Sequence, residues 1–559
     1  MNIYLKSKLF LFLLVLSSIK ISAQDIEKLI KEDPIKFSGS FTLYNSIYHM
    51  NGMDPRRKDF SWYITGNPTL ILYGIDIPFN FTISEQERSN RQPFNQFSIT
   101  PSYKWAKLYL GYTNITWSPF TWAGQTALGA GIELNPSKFR FGFLYGQLNR
   151  AVDEDLTTTQ TQTPSFKRMG YATRIGYGTE TSHFDVIFLK GKDDENSLNA
   201  IPQKTVVLPA ENVVLGLSSK LKLSSKLFWN LDFATSIYNR DVRAADFTND
   251  DPFISKFSSL LDVNTATQVY NALQSDVSFV TKRVKLKVKY KRIDPDYTSM
   301  GAYYFQTDVE NITLEPSFNF PKQKLRFNSS FGKQRDNLLN KKSVTTKRFI
   351  GNVGMDWSPT KFFGINTNYS NYSGDQSKGL KIPNQLVQQS YVSQNILISP
   401  RLTFIKEKVS HLHVLVLNRQ WLLDKNSNTS KLSEYEVNTL NYLGTLIFNK
   451  RALTLGGSFM HTTFDSFSNT NLLNGFAINA NKSYLGNKLL TGISIGETFH
   501  QLNNDPFANI INVSSQNSYA INQHHGLNFL VNFINNESKI STVDSFTEYN
   551  IDLGYTYTF

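Results

Sequence analysis

The feature that most constrains this chain is apolar–polar alternation with a period of two, renewed in one short stretch after another up to the last residue. In Phe37-Ser-Gly-Ser-Phe41-Thr-Leu43 apolar residues return at alternate places. Val213, Leu215, Leu217, Leu221 and Leu223 alternate with Gly216, Ser218, Lys220 and Lys222. After Ser224-Ser225-Lys226 the pattern resumes as Leu227, Trp229, Leu231, Phe233 and Ile237 against Asn230, Asp232 and Ser236. Successive side chains of an extended strand point to opposite faces, so these stretches predict a hairpin with one greasy and one wet face.

The same pairing recurs along the chain. Residues 128–134 pair with 139–145 across Asn135-Pro136-Ser137, and 312–318 with 325–331 across Phe320-Pro321-Lys322. Residues 349–357 pair with 363–369 across Ser358-Pro359-Thr360, and 440–448 with 453–459 across Asn449-Lys450-Arg451. Short turns alternate with longer polar loops, the asymmetry of a barrel with brief periplasmic turns and long outer loops. The expected fold is all-β: a transmembrane antiparallel up-and-down β-barrel of about 26 strands, within 24 to 28, even in number because both ends lie on the periplasmic side. Alternation also explains a mean hydropathy of only −0.31 in a chain with 42 Phe and 27 Tyr, since only every second strand residue faces lipid.

At the start, Lys6 and Lys8 precede an apolar run over 9–16 and the sequence Ile21-Ser22-Ala23, a leader expected to be cut after Ala23. Residues 1–23 are therefore read as a signal peptide, 24–35 as a short periplasmic segment and 36–559 as a single barrel domain. The dozen residues before the first strand leave no room for a plug domain. Cysteine is absent, which excludes disulfides, a lipoprotein anchor, thiolate metal sites and a cysteine nucleophile. The formal charge of +13 falls to about +10 without Lys6, Lys8 and Lys20, and its bases are scattered. Anionic outer-membrane lipids and anionic solutes are the expected partners, and nucleic acid is not.

The final segment is apolar or aromatic at Tyr549, Ile551, Leu553, Tyr555, Tyr557 and Phe559, and polar or glycine between them. It resembles the closing strand of Gram-negative outer-membrane β-barrel proteins, which end on an aromatic residue. That resemblance implies that Tyr555, Tyr557 and Phe559 are the insertion signal read by the barrel-assembly machinery.

Tryptophan favours the lipid–water boundary. Trp105, Trp229 and Trp357 near short turns, and Trp62, Trp117, Trp122 and Trp421 near long loops, are expected to form two aromatic girdles. Lysine alternates with apolar residues at Lys285, Lys287, Lys289 and Lys291, so four ammonium groups share a face. That face must be the lumen, because a lysine at lipid depth costs roughly 2–4 kcal/mol. Arg326, Arg348 and Arg401 are further inward candidates, and Glu310, Glu315 and Asp232 are expected to face inward as partners.

The longest connections, 150–164, 191–211 and 239–267, are functional candidates. In the last of these, residues 252–261 are compatible with a short amphipathic helix, in the barrel mouth or on the outer rim. Asp153-Glu154-Asp155, Asp193-Asp194-Glu195 and Asp250-Asp251 are expected in outer loops as solvated charge, with divalent bridging to surface lipid as the alternative. Gly492-Ile-Ser494-Ile-Gly496 matches a hydrolase string but lies in an alternating strand instead of a strand-to-helix elbow. His411/His413 and His524/His525 have no carboxylate at metal-ligand spacing. Neither an enzyme, a metal nor a cofactor is expected.

A barrel of about 26 strands has a diameter of about 50 Å and would breach the membrane if left open. Two readings follow. The first is a channel or transporter for polar or anionic solutes, gated or plugged by inward loops. The second is a barrel subunit of an export or envelope-assembly complex, plugged by a lipoprotein or secreted partner. Its size resembles that of lipopolysaccharide-export barrels, although the periplasmic domain of that family is missing.

Overall fold

A computed structural model describes residues 35–559 except 86–91, 156–162, 201, 203–205, 247–257 and 304. The leader and the short segment expected to follow it fall outside the described residues, except for Ile35, with which the first strand opens.

The alternating stretches form a closed antiparallel barrel of 26 strands, assembled from 29 strand segments. Three strands are each interrupted once. Ile35–Ser38 continues as Ser40–Asn51 across Gly39, whose φ of +118° suits glycine alone. Phe60–Gly66 continues as Thr69–Leu72 past Pro68, and Gln96–Ile99 as Ser102–Tyr103 past Pro101. A proline lacks the N–H that a ladder needs, so the pairing pauses there. The ring is shut by Ser40–Asn51 pairing with Phe546–Thr558, from Ser40↔Thr558 to Asn51↔Thr547. Closure leaves no free strand edge, which is what a wall standing in hydrocarbon requires.

Directly opposed residues of an antiparallel pair share a face, so the register carries inside and outside around the ring. Phe476, Ile478 and Ile495 lie in one outer patch and are 54%, 67% and 45% exposed. A surface of such side chains is stable only where lipid covers it. On the opposite face Asn395 and Asn418 exchange side-chain hydrogen bonds, as polar groups do in a wet interior.

The barrel is uneven. Between Thr470–Tyr484 and Asp505–Ala520 both ends carry connections of a few residues, whereas the first half carries the long ones. The main hydrophobic cluster lies inside that first half and includes residues from two connections, 115–125 and 294–308, that turn inward.

Candidate functional site

The two inward connections bring large apolar side chains into the lumen. Trp117, Phe120 and Trp122 come from the first, and Tyr297 and Met300 from the second; all are buried. They pack on Tyr109, Leu144, Leu148, Ile187, Leu189, Val214, Ile293 and Val309, and on Ala127, Ala172, Ala234 and Ala272. These wall residues come from every strand between Ala106–Asn114 and Val309–Phe320. The wall is built to receive them. A Cβ at Gly142 would stand 2.7 Å from the Trp117 ring, and one at Gly191 would stand 2.8 Å from the Met300 sulfur. Each large side chain buried this way contributes roughly 1.5–3 kcal/mol.

Hydrogen bonds join the connections to each other and to the wall. Tyr297 Oη donates to the Phe120 carbonyl at 2.8 Å, Ser299 Oγ to the Thr121 carbonyl at 2.9 Å, and the Ala123 amide to the Gly301 carbonyl at 2.8 Å. The Met300 amide donates to Asn212 Oδ1 at 2.9 Å, and Ser236 Oγ donates to the Thr298 carbonyl at 2.5 Å. Burial pushes the Tyr297 phenol well above the ordinary tyrosine range, so it stays a donor.

Below Trp117 lies a buried polar latch. Trp117 Nε1 donates to Glu133 Oε1 at 2.8 Å, and Tyr109 Oη donates to Glu133 Oε2 at 2.6 Å. Arg174 lies 3.1 Å from Glu133 and stacks its guanidinium 5.6 Å over the Trp117 ring. Arg140 grips Asp185 through two nitrogens, at 2.8 and 3.0 Å. Paired, hydrogen-bonded charges of this kind hold geometry, and breaking one partner leaves a costly orphan.

Lys285, Lys287, Lys289 and Lys291 lie on the face of Val284–Ile293 that ends in buried Ile293, while Leu286 and Val288 are exposed on the other. Lys287 pairs with Glu315 at 3.2 Å, and Lys289 lies opposite Asp276 and Thr313. By the same register Arg326, Arg348 and Arg401 take interior places: Arg326 opposite Asp356, Arg348 between Gln334 and Gly374, and Arg401 opposite Gly364. Lys291, Asn311, Gln334 and Arg348 are successive partners and form one row at one height. Arg348 Nε and Nη1 are buried without a hydrogen-bond partner among the described residues. Asp232 is interior and accepts from Ser218 Oγ at 2.8 Å. From Tyr435–Phe448 through His525–Ser538, by contrast, the interior places hold no Lys, Arg or Glu, and Asp appears there only at the rim, where Asp505 lies opposite Leu502.

Several expectations are corrected. Trp117 and Trp122 are 8% and 0% exposed inside the barrel, so they belong to no girdle. Ile115, Trp117, Phe120 and Trp122 crowd too much apolar surface into one connection for it to stand in water, and that density was the readable signal. Trp62, Trp229, Trp357 and Trp421 do lie on the outer face by register, and Trp105 is exposed at a short turn. Glu310 faces outward, because it shares its parity with exposed Ile312 and Leu314. Asp193 is no loop carboxylate: it is buried and bound to Arg168 at 2.7 Å.

The two inward connections are also not among the three singled out by length. Of 239–267, residues 247–257, which include Asp250, Asp251 and most of the helix expected over 252–261, lie outside the described residues. Leu260, Leu261 and Val263 cover Val213 and Ile237 on the outer wall, where Lys190, Lys192, Glu211 and Asp262 form an ion-pair group. Tyr555, Tyr557 and Phe559 line the exterior beside the closure, with Phe559 against Phe37 and Phe41.

No family model and no curated protein matches the chain. Solved structures similar to it are Gram-negative outer-membrane β-barrel proteins. They include the P pilus usher (PapC) translocation pore, at 11% identity over 94% of this chain and 100% of that one, with a TM-score of 0.38. OccAB3 of Acinetobacter baumannii is 12% identical over 67% and 98% of the two chains, with a TM-score of 0.33. OccK10 (OpdN) of Pseudomonas aeruginosa is 10% identical over 65% and 98%, with a TM-score of 0.35.

Proposed function

We propose that this chain is an outer-membrane channel for polar, anionic solutes, narrowed from within by connections 115–125 and 294–308. One observation carries the reading: two cross-linked connections fill one side of the lumen, and cationic side chains, with Lys291 and Arg348 at one height among them, line the wall of the space that remains. Lys285, Lys287, Lys289, Lys291, Arg326, Arg348 and Arg401 outweigh Asp276, Glu315 and Asp356 on that stretch of wall, so the local field favours anions. The test is the reversal potential of purified protein in a planar bilayer under a potassium chloride gradient. Anion selectivity supports the reading, and so does its decline when Lys285, Lys289 and Lys291 become glutamine. Cation selectivity, or indifference to those changes, overturns it.

A second reading, the barrel subunit of an export or envelope-assembly complex, has its own support. Leu443, Ile447 and Leu490 face the lumen near its short-turn end and are 43%, 37% and 51% exposed. Wet apolar side chains there favour a lipoprotein or secreted protein as the occupant. A steady single-channel conductance supports the channel. A silent or very large one, with a protein recovered by pull-down from gently solubilised outer membrane, supports the complex. In either reading the leader directs export, and the exterior row Tyr555, Tyr557 and Phe559 serves the barrel-assembly machinery.

A further inference from the structure

On the outer wall, near the long-loop end, the register brings three cations together. Lys347 lies directly opposite Arg335 and diagonally from Lys333, which faces Phe349. Direct and diagonal neighbours across a strand pair stand roughly 5 and 7–8 Å apart, so all three reach one small anion. Neither the Lys333 nor the Lys347 ammonium has an ion pair or hydrogen bond among the described residues, and both side chains are exposed. Arg335 already holds Glu310 at 2.5 Å, and Asp375, directly opposite Lys347 on the next strand, is hydrogen-bonded by Ser390 and lies 3.8 Å from Lys425. Both neighbouring carboxylates thus have partners of their own, and the two lysines are left over.

These residues border a cleft of about 430 Å³ whose floor includes Ile312 and Phe349, 56% and 38% exposed. Toward the short-turn end the same outer face continues as Leu314 and Phe331, also exposed. Unneutralised ammonium groups therefore stand at the upper edge of a lipid-facing apolar surface, the arrangement that a phosphate headgroup with acyl chains beneath it complements.

We propose that the cleft between Val309–Phe320, Leu325–Arg335 and Val344–Trp357 binds a phosphorylated glycolipid of the outer leaflet. Its phosphate sits between Lys333, Lys347 and Arg335, and its acyl chains lie along Ile312, Leu314, Phe331 and Phe349. The occupant is a lipid because the cations crown an apolar slope, where a soluble anion has nothing to bury.

The test is native mass spectrometry of the full chain in mild detergent, titrated with a diphosphorylated disaccharide glycolipid and with its dephosphorylated form. Each lysine near a charged membrane surface contributes about 1 kcal/mol, so K333Q/K347Q is expected to bind the phosphorylated lipid roughly 30-fold more weakly. K333R/K347R retains binding, and the dephosphorylated lipid binds wild type at least as weakly as K333Q/K347Q, which keeps Arg335, binds the phosphorylated one. Heat-modifiable migration on gels checks that the barrels are folded, and the single variant K347Q, expected about 5-fold weaker, serves if the double variant does not fold. Equal binding by K333Q/K347Q and wild type overturns the proposal. So does equal binding of the two lipids by wild type, or a protein or a second copy of the chain occupying the cleft in place of lipid.

Discussion

The phenol of Tyr297 donates a 2.8 Å hydrogen bond to the carbonyl of Phe120, 177 residues earlier in the chain, and so ties the two inward connections together within the lumen. Its neighbours are aromatic: Phe120 and Phe305 meet the Tyr297 ring at centroid distances of 6.3 and 5.5 Å. With the Ser299 and Ala123 hydrogen bonds, these contacts couple the two connections to each other.

Replacing Tyr297 with phenylalanine keeps the ring and orphans the Phe120 carbonyl, at a cost of about 1–3 kcal/mol. Single-channel recordings of Y297F are expected to show more frequent excursions to a larger conductance. Burial raises the folded-state pKa of this phenol, so its stabilising contribution is whole below the ordinary tyrosine range and is lost as pH rises beyond it. Thermal unfolding of wild type should therefore fall more steeply than that of Y297F above about pH 10. Parallel curves would contradict the burial of the phenol.

Trp117 fills the space that Gly142 leaves open and bonds Glu133 beneath it. Trp117→Ala is expected to destabilise by about 3–5 kcal/mol, because a cavity opens and Glu133 loses a donor. G142V should loosen the same connection from the other side by displacing the ring. Protease protection of 115–125 in intact vesicles would report both, and unchanged protection in G142V would contradict the close approach.

Asp308 closes the second inward connection against the neighbouring outer loop. Its carboxylate accepts the Lys342 ammonium and the backbone amides of Asn337 and Leu338, at 3.0 and 2.9 Å. Burial pushes the carboxyl up, but these donors outweigh burial and hold it below the usual carboxylate range. A depressed pKa means that the stabilisation is present above the unfolded value, about 4, and is lost as pH falls through the folded one. Amide exchange at Asn337 and Leu338 should be slow at pH 6 and faster by pH 3 relative to the wall strands, and D308N should be fast at both.

Arg348 and Lys287 make a contrast on one wall. Lys287 is neutralised by Glu315, whereas two nitrogens of Arg348 are buried without a partner among the described residues. Arg348→Met is expected to leave stability unchanged within about 1 kcal/mol or to raise it, since an unsatisfied polar group is removed. The same change should lower anion selectivity more than K287Q does, read as a shift in reversal potential. A large loss of stability in R348M, or a larger shift in K287Q, would count against the arginine as a lumenal anion contact.

Alternation is a local property: each extended residue turns its side chain opposite to the last, whatever lies elsewhere in the chain. From residues 213–237 the hairpin, its turn and its two faces were all legible, and so was the lumenal side of Lys285 to Lys291 once lipid claimed Leu286 and Val288. Glu310 was legible too, since it shares parity with Ile312 and Leu314, and the expectation that it faced inward misread that pattern. The path of residues 115–125 was not legible in the same way. Their apolar density says they must be buried, but the place that receives them is assembled from Gly142, Ala172, Ala234 and Ala272, which meet only when the strands have curled around a common axis.

By itself, then, the order of residues determined the wall, because hydrophobic parity acts one residue at a time. Only the tertiary structure decided what fills the lumen and where free cations converge. Those outcomes rest on register and curvature summed over many strands, and no single stretch of sequence contains them.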